Sequence, residues 1–487
     1  MNNYPIWKVT NMKRIKPITK KIAAFIITLC LVHAAFTDTV FAAPHTESTV
    51  SAEMCTAAYW NARSGELASA ILMTPEHIDQ FNASALVSEG CNMNDLTKID
   101  TSYDATELKA VLAAQTISEM PQKPIYVNSI SADTATYYAG IAESISASTW
   151  DGTLKPFYAL SVKQTQIKSI PTPDYIGYSE GDTDDEVVLS SLRVNEPFLV
   201  KQCAFVGGHV YYWGYSDNVS GWVDAMDIAF CQNKAEWLGM WQNDTAGTDF
   251  IVVTTDYFHL SKSHYSPATS DLLLTMGTTL KLVPEKDLPA SIWGRGTWNN
   301  YAVYVPTRDA DGNCVKQIAL IVQNKDVNVG FLPMTSANVV SLSFEYLGDT
   351  YGWGGMLDSV DCSALVRNVY RCFGLEMPRN TNWQKCVPGT CVDISEMDDI
   401  QKTEAIAGCY PGTPLYMSGH TMIYLGTIDG VNYVISALGS ASDSSGELNV
   451  VSQNTVAVTP LTVRRRNGTT WLANINSYVM PILFKNN

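Results

Sequence analysis

Apolar positions change period along the 487-residue chain, and each change marks a different kind of element. The first 42 residues carry a basic stretch (Lys8, Lys13, Arg14, Lys16, Lys20, Lys21), an apolar run over 22–36 and small residues at 40–42, the pattern of a cleaved export leader. From 43 to 150 the spacing is helical. Thr74-Pro75 is a cap followed by a proline at the first helical position, with Ile78, Phe81 and Leu86 beyond it, and Leu108, Val111 and Leu112 share one face of a helix over 105–120. Residues 151–245 change to short strands between turn residues (Pro171, Pro173, Gly177), with pieces at 187–192, 197–201 and 210–215 leading to Gly221-Trp222-Val223. Residues 246–335 repeat that style at 279–283, 301–305 and 318–322 and close on Gly330-Phe331-Leu332. Short strands with aromatic hairpins predict a small β-barrel in each stretch. The remainder, 336–487, predicts a helix at 337–346, a glycine loop and a second helix. Strands follow at 413–417, 421–425, 433–437 and 456–461, with an edge at 480–484, giving an α+β domain. The whole reads as a multidomain α+β chain.

Composition narrows the partners. With 32 basic and 48 acidic residues the net charge is −16, and removal of the leader takes six basic residues against one acidic residue, Asp38. That balance argues against nucleic acid and against tight binding to an anionic membrane. Export permits disulfides, and Cys55 with Cys91, Cys203 with Cys231, and Cys386 with Cys391 are candidate pairs whose connectivity spacing cannot fix. With no C-x-x-C pair and histidines (His209, His259, His264) scattered among strands, neither a metal site nor a cofactor is expected. The Asp309-Ala310-Asp311-Gly312-Asn313 run lacks the remaining ligands of a calcium loop and reads as a hairpin turn. Tyr211, Trp213 and Tyr215 fit a barrel core or a ligand face, and Arg464-Arg465-Arg466 reads as a solvated turn.

The candidate chemistry lies at one cysteine. Tyr351-Gly352-Trp353-Gly354-Gly355 precedes Asp361-Cys362-Ser363, and the apolar run Ala364, Leu365, Val366, Val369 and Tyr370 places Cys362 at a helix N-terminus. Unpaired N–H groups and the helix dipole favour a thiolate there, and the glycines leave room for a substrate backbone. A buried structural cysteine in a glycine-rich turn fits the same residues. His420, the one histidine downstream of Cys362, leads an apolar run that reads as a buried strand. A cysteine on a helix start and a histidine on a later strand form the arrangement of a papain-like thiol hydrolase.

These residues resemble the NlpC/p60 family of bacterial cell-wall peptidases. The likeness runs through Tyr346-Leu347-Gly348, Tyr351, Trp353-Gly354-Gly355, Asp361-Cys362-Ser363, Leu365-Val366, Gly374, Pro378-Arg379, Gln384 and His420 with Ile423-Tyr424-Leu425-Gly426. It implies an exported, monomeric cysteine peptidase acting on peptidoglycan stem peptides or muropeptide fragments. The expected bond is that between γ-D-glutamate and a diamino acid, with Cys362 as nucleophile and His420 as base. Tyr351, Asp361 and Ser363 match positions lining the family's substrate cleft. It also implies that the two barrels are bacterial SH3-like, the first walling the active site with an acidic residue for the substrate's free amine; the acidic run around Asp184 is the candidate. One position departs: the family's third polar residue, usually histidine, falls on Ser436, with Asn432 the alternative if the register shifts. A serine hydroxyl orients an imidazole less firmly, which keeps a catalytically weakened cell-wall-binding protein as the second reading.

Overall fold

The computed structural model of the protein describes residues 50–99, 101–442 and 451–480. The expected leader, His45 and residues 481–484 of the expected edge strand lie outside the described residues. Among the described residues no helix is long and apolar enough to cross a membrane.

The C-terminal region is built on a six-stranded antiparallel sheet in the order Thr390–Asp393, Ile475–Met480, Pro414–Met417, His420–Ile428, Val431–Ala441, Val451–Pro460. Its middle strands are apolar at nearly every position because both faces are covered. Ile423, Leu425 and Ile435 pack toward helices Ser336–Phe344 and Cys362–Arg371. Met422, Tyr424 and Val434 pack on the other side with Trp471 and with Ile406 of helix Asp399–Ala407. The expected strand at the chain end differs in place: Ile475–Met480 lies second in the sheet, paired on both sides. Its neighbour Thr390–Asp393 supplies the edge, from a stretch in which no strand was expected.

The N-terminal segment does not pack as one body. Helices Ala57–Ser64 and Pro75–Ala85 put Trp60, Ile78 and Phe81 into the same core as the Cys362 helix, and Ile71–Met73 pairs with Met334–Thr335. Helices Ala105–Ser118 and Thr134–Ser146 instead set Leu112, Ile141 and Ile145 against Tyr211, Trp213 and Trp222. Tyr211 and Trp213 are therefore core residues.

The first β region is one antiparallel sheet in the order Ile228–Phe230, Phe157–Ser161, Pro197–Val206, His209–Tyr215, Ser220–Asp224, Thr165–Lys168, Val188–Leu192. Its end strands do not pair with each other, so the sheet stays open where a closed barrel was expected. Helices cover one face, and its edge Val188–Leu192 turns to the glycine loop of the C-terminal region. The second β region is three small sheets, the largest hairpin being Asn300–Arg308 with Cys314–Val322. Its turn is tied by Asp309, which accepts the N–H groups of Asp311 and Asn313, the expected hairpin turn. The glycine–aromatic–aliphatic endings of the two stretches differ in place: Gly221-Trp222-Val223 lies inside a strand, whereas Phe331 lies beyond its strand and packs on Gly374 and Phe250.

The ten cysteines from Cys55 to Cys409 are free thiols. Cys231 meets Cys314, beside a bridge between Phe230 and Asn313, and not Cys203, which contacts Ser148. Cys386 comes up against Gly90 beside Cys91. Cys391 is also near enough to Cys386 to act on it electrostatically, as the spacing suggested, whereas the neighbours Cys231 with Cys314 and Cys91 with Cys386 join segments far apart in sequence.

Candidate active site

Cys362 opens the helix Cys362–Arg371, and Asp361 caps it. The Asp361 carboxylate accepts the N–H groups of Ser363 (3.2 Å) and Ala364 (3.0 Å), satisfying two of the donors every helix start leaves open. Among the described residues the Cys362 N–H itself finds no acceptor.

Asp361 is fully buried, and what holds its charge there is Arg379, itself 2 % exposed. The guanidinium donates to both carboxylate oxygens, at 3.1 and 2.6 Å, and to the Ser363 hydroxyl at 3.0 Å. Ser363 in turn donates to Asp361 at 2.9 Å, and Gly354 adds its N–H at 3.1 Å. Burial would raise the Asp361 carboxyl, but Arg379 and the N–H donors hold it below the ordinary carboxylate value. Asp361 and Ser363 are thus committed to internal partners. The same guanidinium reaches the first sheet, donating to Ser190 at 3.1 Å and lying 5.1 Å from the Trp353 ring, whose N–H donates to the Val188 carbonyl.

The glycine loop makes this junction possible. A Cβ on Gly354 (φ +60°) would sit 2.2 Å from Val188, and one on Gly355 (φ +80°) 2.4 Å from Ser191. The sequence suggested room for a substrate backbone at these glycines, and in the structure the neighbour that occupies the room is the edge strand Val188–Leu192.

Cys362 is 6 % exposed, and its sulfur lies 3.9 Å from the Thr381 hydroxyl, with the Thr421 N–H near enough to favour its thiolate. Thr421 follows His420, so the sulfur is beside the histidine's strand, although no hydrogen bond joins thiol and imidazole among the described residues. His420 Nε2 pairs with the Ser436 hydroxyl at 3.2 Å across neighbouring strands, and Ser436 is 1 % exposed. Asn432 faces elsewhere, engaged with Thr427 and with the Thr403 carbonyl. Tyr351 is half-buried, with its hydroxyl raised by burial and by the nearby Asp361 and Cys362. Asp184 lies close enough to Asp361 and Tyr351 to repel them electrostatically, and burial raises its carboxyl first of all.

The electrostatics reverse one expectation. Burial, and after it the Asp361 carboxylate, pushes the Cys362 thiol up to about 11, against the opposing Thr421 N–H and Thr381 hydroxyl. Burial and the Arg465 guanidinium bring His420 down to about 4. The helix start is real, but depth outweighs its dipole, and both the thiol and the imidazole rest neutral near pH 7. Arg379, Thr381 and Thr421 were not singled out as site residues by sequence reasoning. Arg379 carried a signal, as half of the Pro378-Arg379 match; the other two had none. Among the described residues no cluster of three or more His, Cys, Asp or Glu side chains is placed to hold a metal.

Comparison with known proteins places this geometry. Residues 348–459 match the NlpC/P60 family. Among solved structures, an NlpC/P60 endopeptidase from Photobacterium damselae subsp. piscicida superposes with a TM-score of 0.65 at 15 % identity, covering 86 % of this chain and 96 % of that one. An NlpC/P60 family protein from Bacillus cereus ATCC 10987 matches at 15 % identity over 66 % of this chain and 98 % of its own, with a TM-score of 0.43. No curated protein sequence matches. Residues 348–459, the segment that contains Cys362, His420 and Ser436, are an NlpC/P60 domain.

Proposed function

We propose that the protein is an exported, monomeric cysteine peptidase of peptidoglycan stem peptides that cleaves the bond between γ-D-glutamate and the following diamino acid. The observation that carries this reading is a cysteine at a helix start whose helix packs on the strand opened by His420, with His420 Nε2 engaged by buried Ser436. In the proposed reaction Nε2–H of His420 donates to Ser436, leaving Nδ1 as the base. His420 takes the thiol proton as the sulfur attacks the γ-D-glutamyl carbonyl, and the unused Cys362 N–H donates to the oxyanion. The C–N bond then breaks, the imidazolium protonates the leaving amine, and water attacks the thioester with His420 again as base. Proton transfer coupled to attack suits a pair that is neutral at rest.

Tyr351 lines the acyl side in this scheme, while Asp361 and Ser363 act through the cap that aims Cys362. We read the open sheet before the domain as a divergent SH3-like wall, a role its contact with Gly354 and Gly355 supports, with Asp184 as acceptor for the substrate's free amine. The weakly polar third residue, Ser436, favours the second reading, a wall-binding protein with lapsed chemistry.

Mass spectrometry of L-Ala-γ-D-Glu-diaminopimelate incubated with reduced protein and with Cys362→Ala tests the choice. Release of L-Ala-D-Glu by the wild type and not by the variant is expected. Retention on peptidoglycan, unchanged by Cys362→Ala and with no product, would refute the peptidase and leave the binding protein.

A further inference from the structure

Beside His420 the surface opens into a cavity of about 530 Å³. Its wall includes Met417, His420, Leu438, Arg465, Arg466 and Trp471, and it does not include Cys362. The Trp471 ring stands edge-on to the imidazole at 5.0 Å and is buried, which gives the cavity a rigid apolar floor beside the base.

The two arginines are held over it by a pinned turn. The Arg465 N–H donates to the Thr469 carbonyl, the Gly468 N–H donates back to Arg465, and Arg464 closes the turn through the Gly468 carbonyl at 2.8 Å. Arg465 also donates to the Ser418 carbonyl, two residues before His420, at 3.3 Å. Among the described residues neither Arg465 nor Arg466 has a carboxylate within 4 Å, although acidic residues outnumber basic ones by 48 to 32. Arg193, Arg367, Arg371 and Arg379, by contrast, are each paired with a carboxylate. Two guanidinium groups that line one cavity beside a base, without a carboxylate partner among the described residues, can receive an anion there, and a planar carboxylate matches their fork.

We infer that Arg465 and Arg466 form the subsite for the leaving fragment and select substrates whose released diamino acid carries a free carboxylate. This rests on the peptidase reading. The leaving amine takes its proton from the imidazole, so the fragment it belongs to lies beside His420, whose ring also lines this cavity. In a stem tripeptide that fragment is a single diamino acid, with a carboxylate on the carbon bearing the scissile nitrogen. A carboxylate there also offsets the positive charge that Arg465 directs at His420, so the base strengthens when the correct substrate is bound.

The test compares L-Ala-γ-D-Glu-L-Lys with its C-terminal amide, and the diaminopimelate tripeptide with the same tripeptide amidated at its side-chain carboxylate. Wild type and Arg465→Gln/Arg466→Gln are assayed with each, and the acid-to-amide ratio of kcat/KM is read. We expect wild type to prefer the acid by about 10- to 100-fold, the worth of a charge-assisted hydrogen bond, and the double variant to bring the ratio near one. The pair of substrates that shows the preference identifies which carboxylate is read. Because the ratio compares two substrates on the same sample, partial misfolding does not mimic the result. A wild-type ratio near one on both pairs, or a ratio unchanged in the variant, would overturn the subsite while leaving the peptidase standing. Cleavage of none of the four by wild type would overturn both.

Discussion

Replacing Arg379 by methionine should be the most damaging single change near the site that leaves Cys362 and His420 intact. The side chain donates to both Asp361 oxygens, to Ser363 and to Ser190, and both members of the ion pair are removed from solvent. Methionine keeps the apolar volume but leaves the Asp361 carboxylate buried without its counter-charge. Breaking one side of a buried pair costs about 3–5 kcal/mol. The remaining donors, the N–H groups of Gly354, Ser363 and Ala364, recover part of this, which places the expected loss at the lower end, about 3 kcal/mol. The pH dependence distinguishes this cause from lost packing. In the wild type Asp361 lies below its ordinary value of 3.8, so it contributes stability that is present at neutral pH and lost as pH falls through its folded value. Without Arg379, burial outweighs the remaining N–H donors and the folded value rises above the unfolded one, so the charged carboxylate becomes destabilising above about pH 4 and is relieved below it. Urea unfolding followed by tryptophan fluorescence should show a wide gap between variant and wild type at pH 7 that narrows toward pH 4. Asp361→Asn in the Arg379→Met background should recover stability. A gap under about 1 kcal/mol at pH 7, or one independent of pH, would refute the assignment of Arg379 as counter-charge to Asp361.

Two further outcomes follow from the site. kcat/KM should rise with pH as His420 loses its proton near 4 and fall toward 11 as Cys362 ionises, a plateau wider than a preformed thiolate–imidazolium pair would give. Iodoacetamide should accordingly label Cys362 slowly at pH 7, and rapid labelling would count against a neutral resting pair. Gly354→Ala should destabilise by about 1–3 kcal/mol and lower activity, because the added methyl meets Val188 at 2.2 Å in a backbone conformation with φ +60°; wild-type urea midpoint and kcat/KM in that variant would show that the loop and edge strand are not tightly docked.

What was legible in the sequence was local. Asp361-Cys362-Ser363 ahead of an apolar helical run announces a capped helix with a thiol at its first position, and a polar residue two strand-lengths on can be matched to His420 once the strands are placed. The Ser436 register follows from such placement, and its contact with Nε2 accords with it. What was not legible is how deep those groups lie and which remote segment covers them. The helix-dipole argument for a thiolate is correct for an exposed helix start and loses here to burial, a property of the whole fold. The Ser190–Arg379 contact joins residues 189 positions apart, and no spacing rule anticipates it. Periodicity names the face that must be covered and is silent on the partner, and for that reason the core that the helices of 57–85 share with the Cys362 helix, and the contact of Cys231 with Cys314, fell outside its reach.

The pairing of Ile71–Met73 with Met334–Thr335, together with Trp60 lodged against Gly426 and Tyr433, gives the order of synthesis a role. Residues made early in translation wait for partners made near its end, and the C-terminal core stays incomplete until they meet. A chain interrupted short of the last strands would leave those early helices with nothing to close upon. A fragment starting at the glycine loop would emerge with an oily seam where Trp60, Ile78 and Phe81 belong. Completion of the core behind Cys362 is thereby deferred until segments made early and late have both left the ribosome.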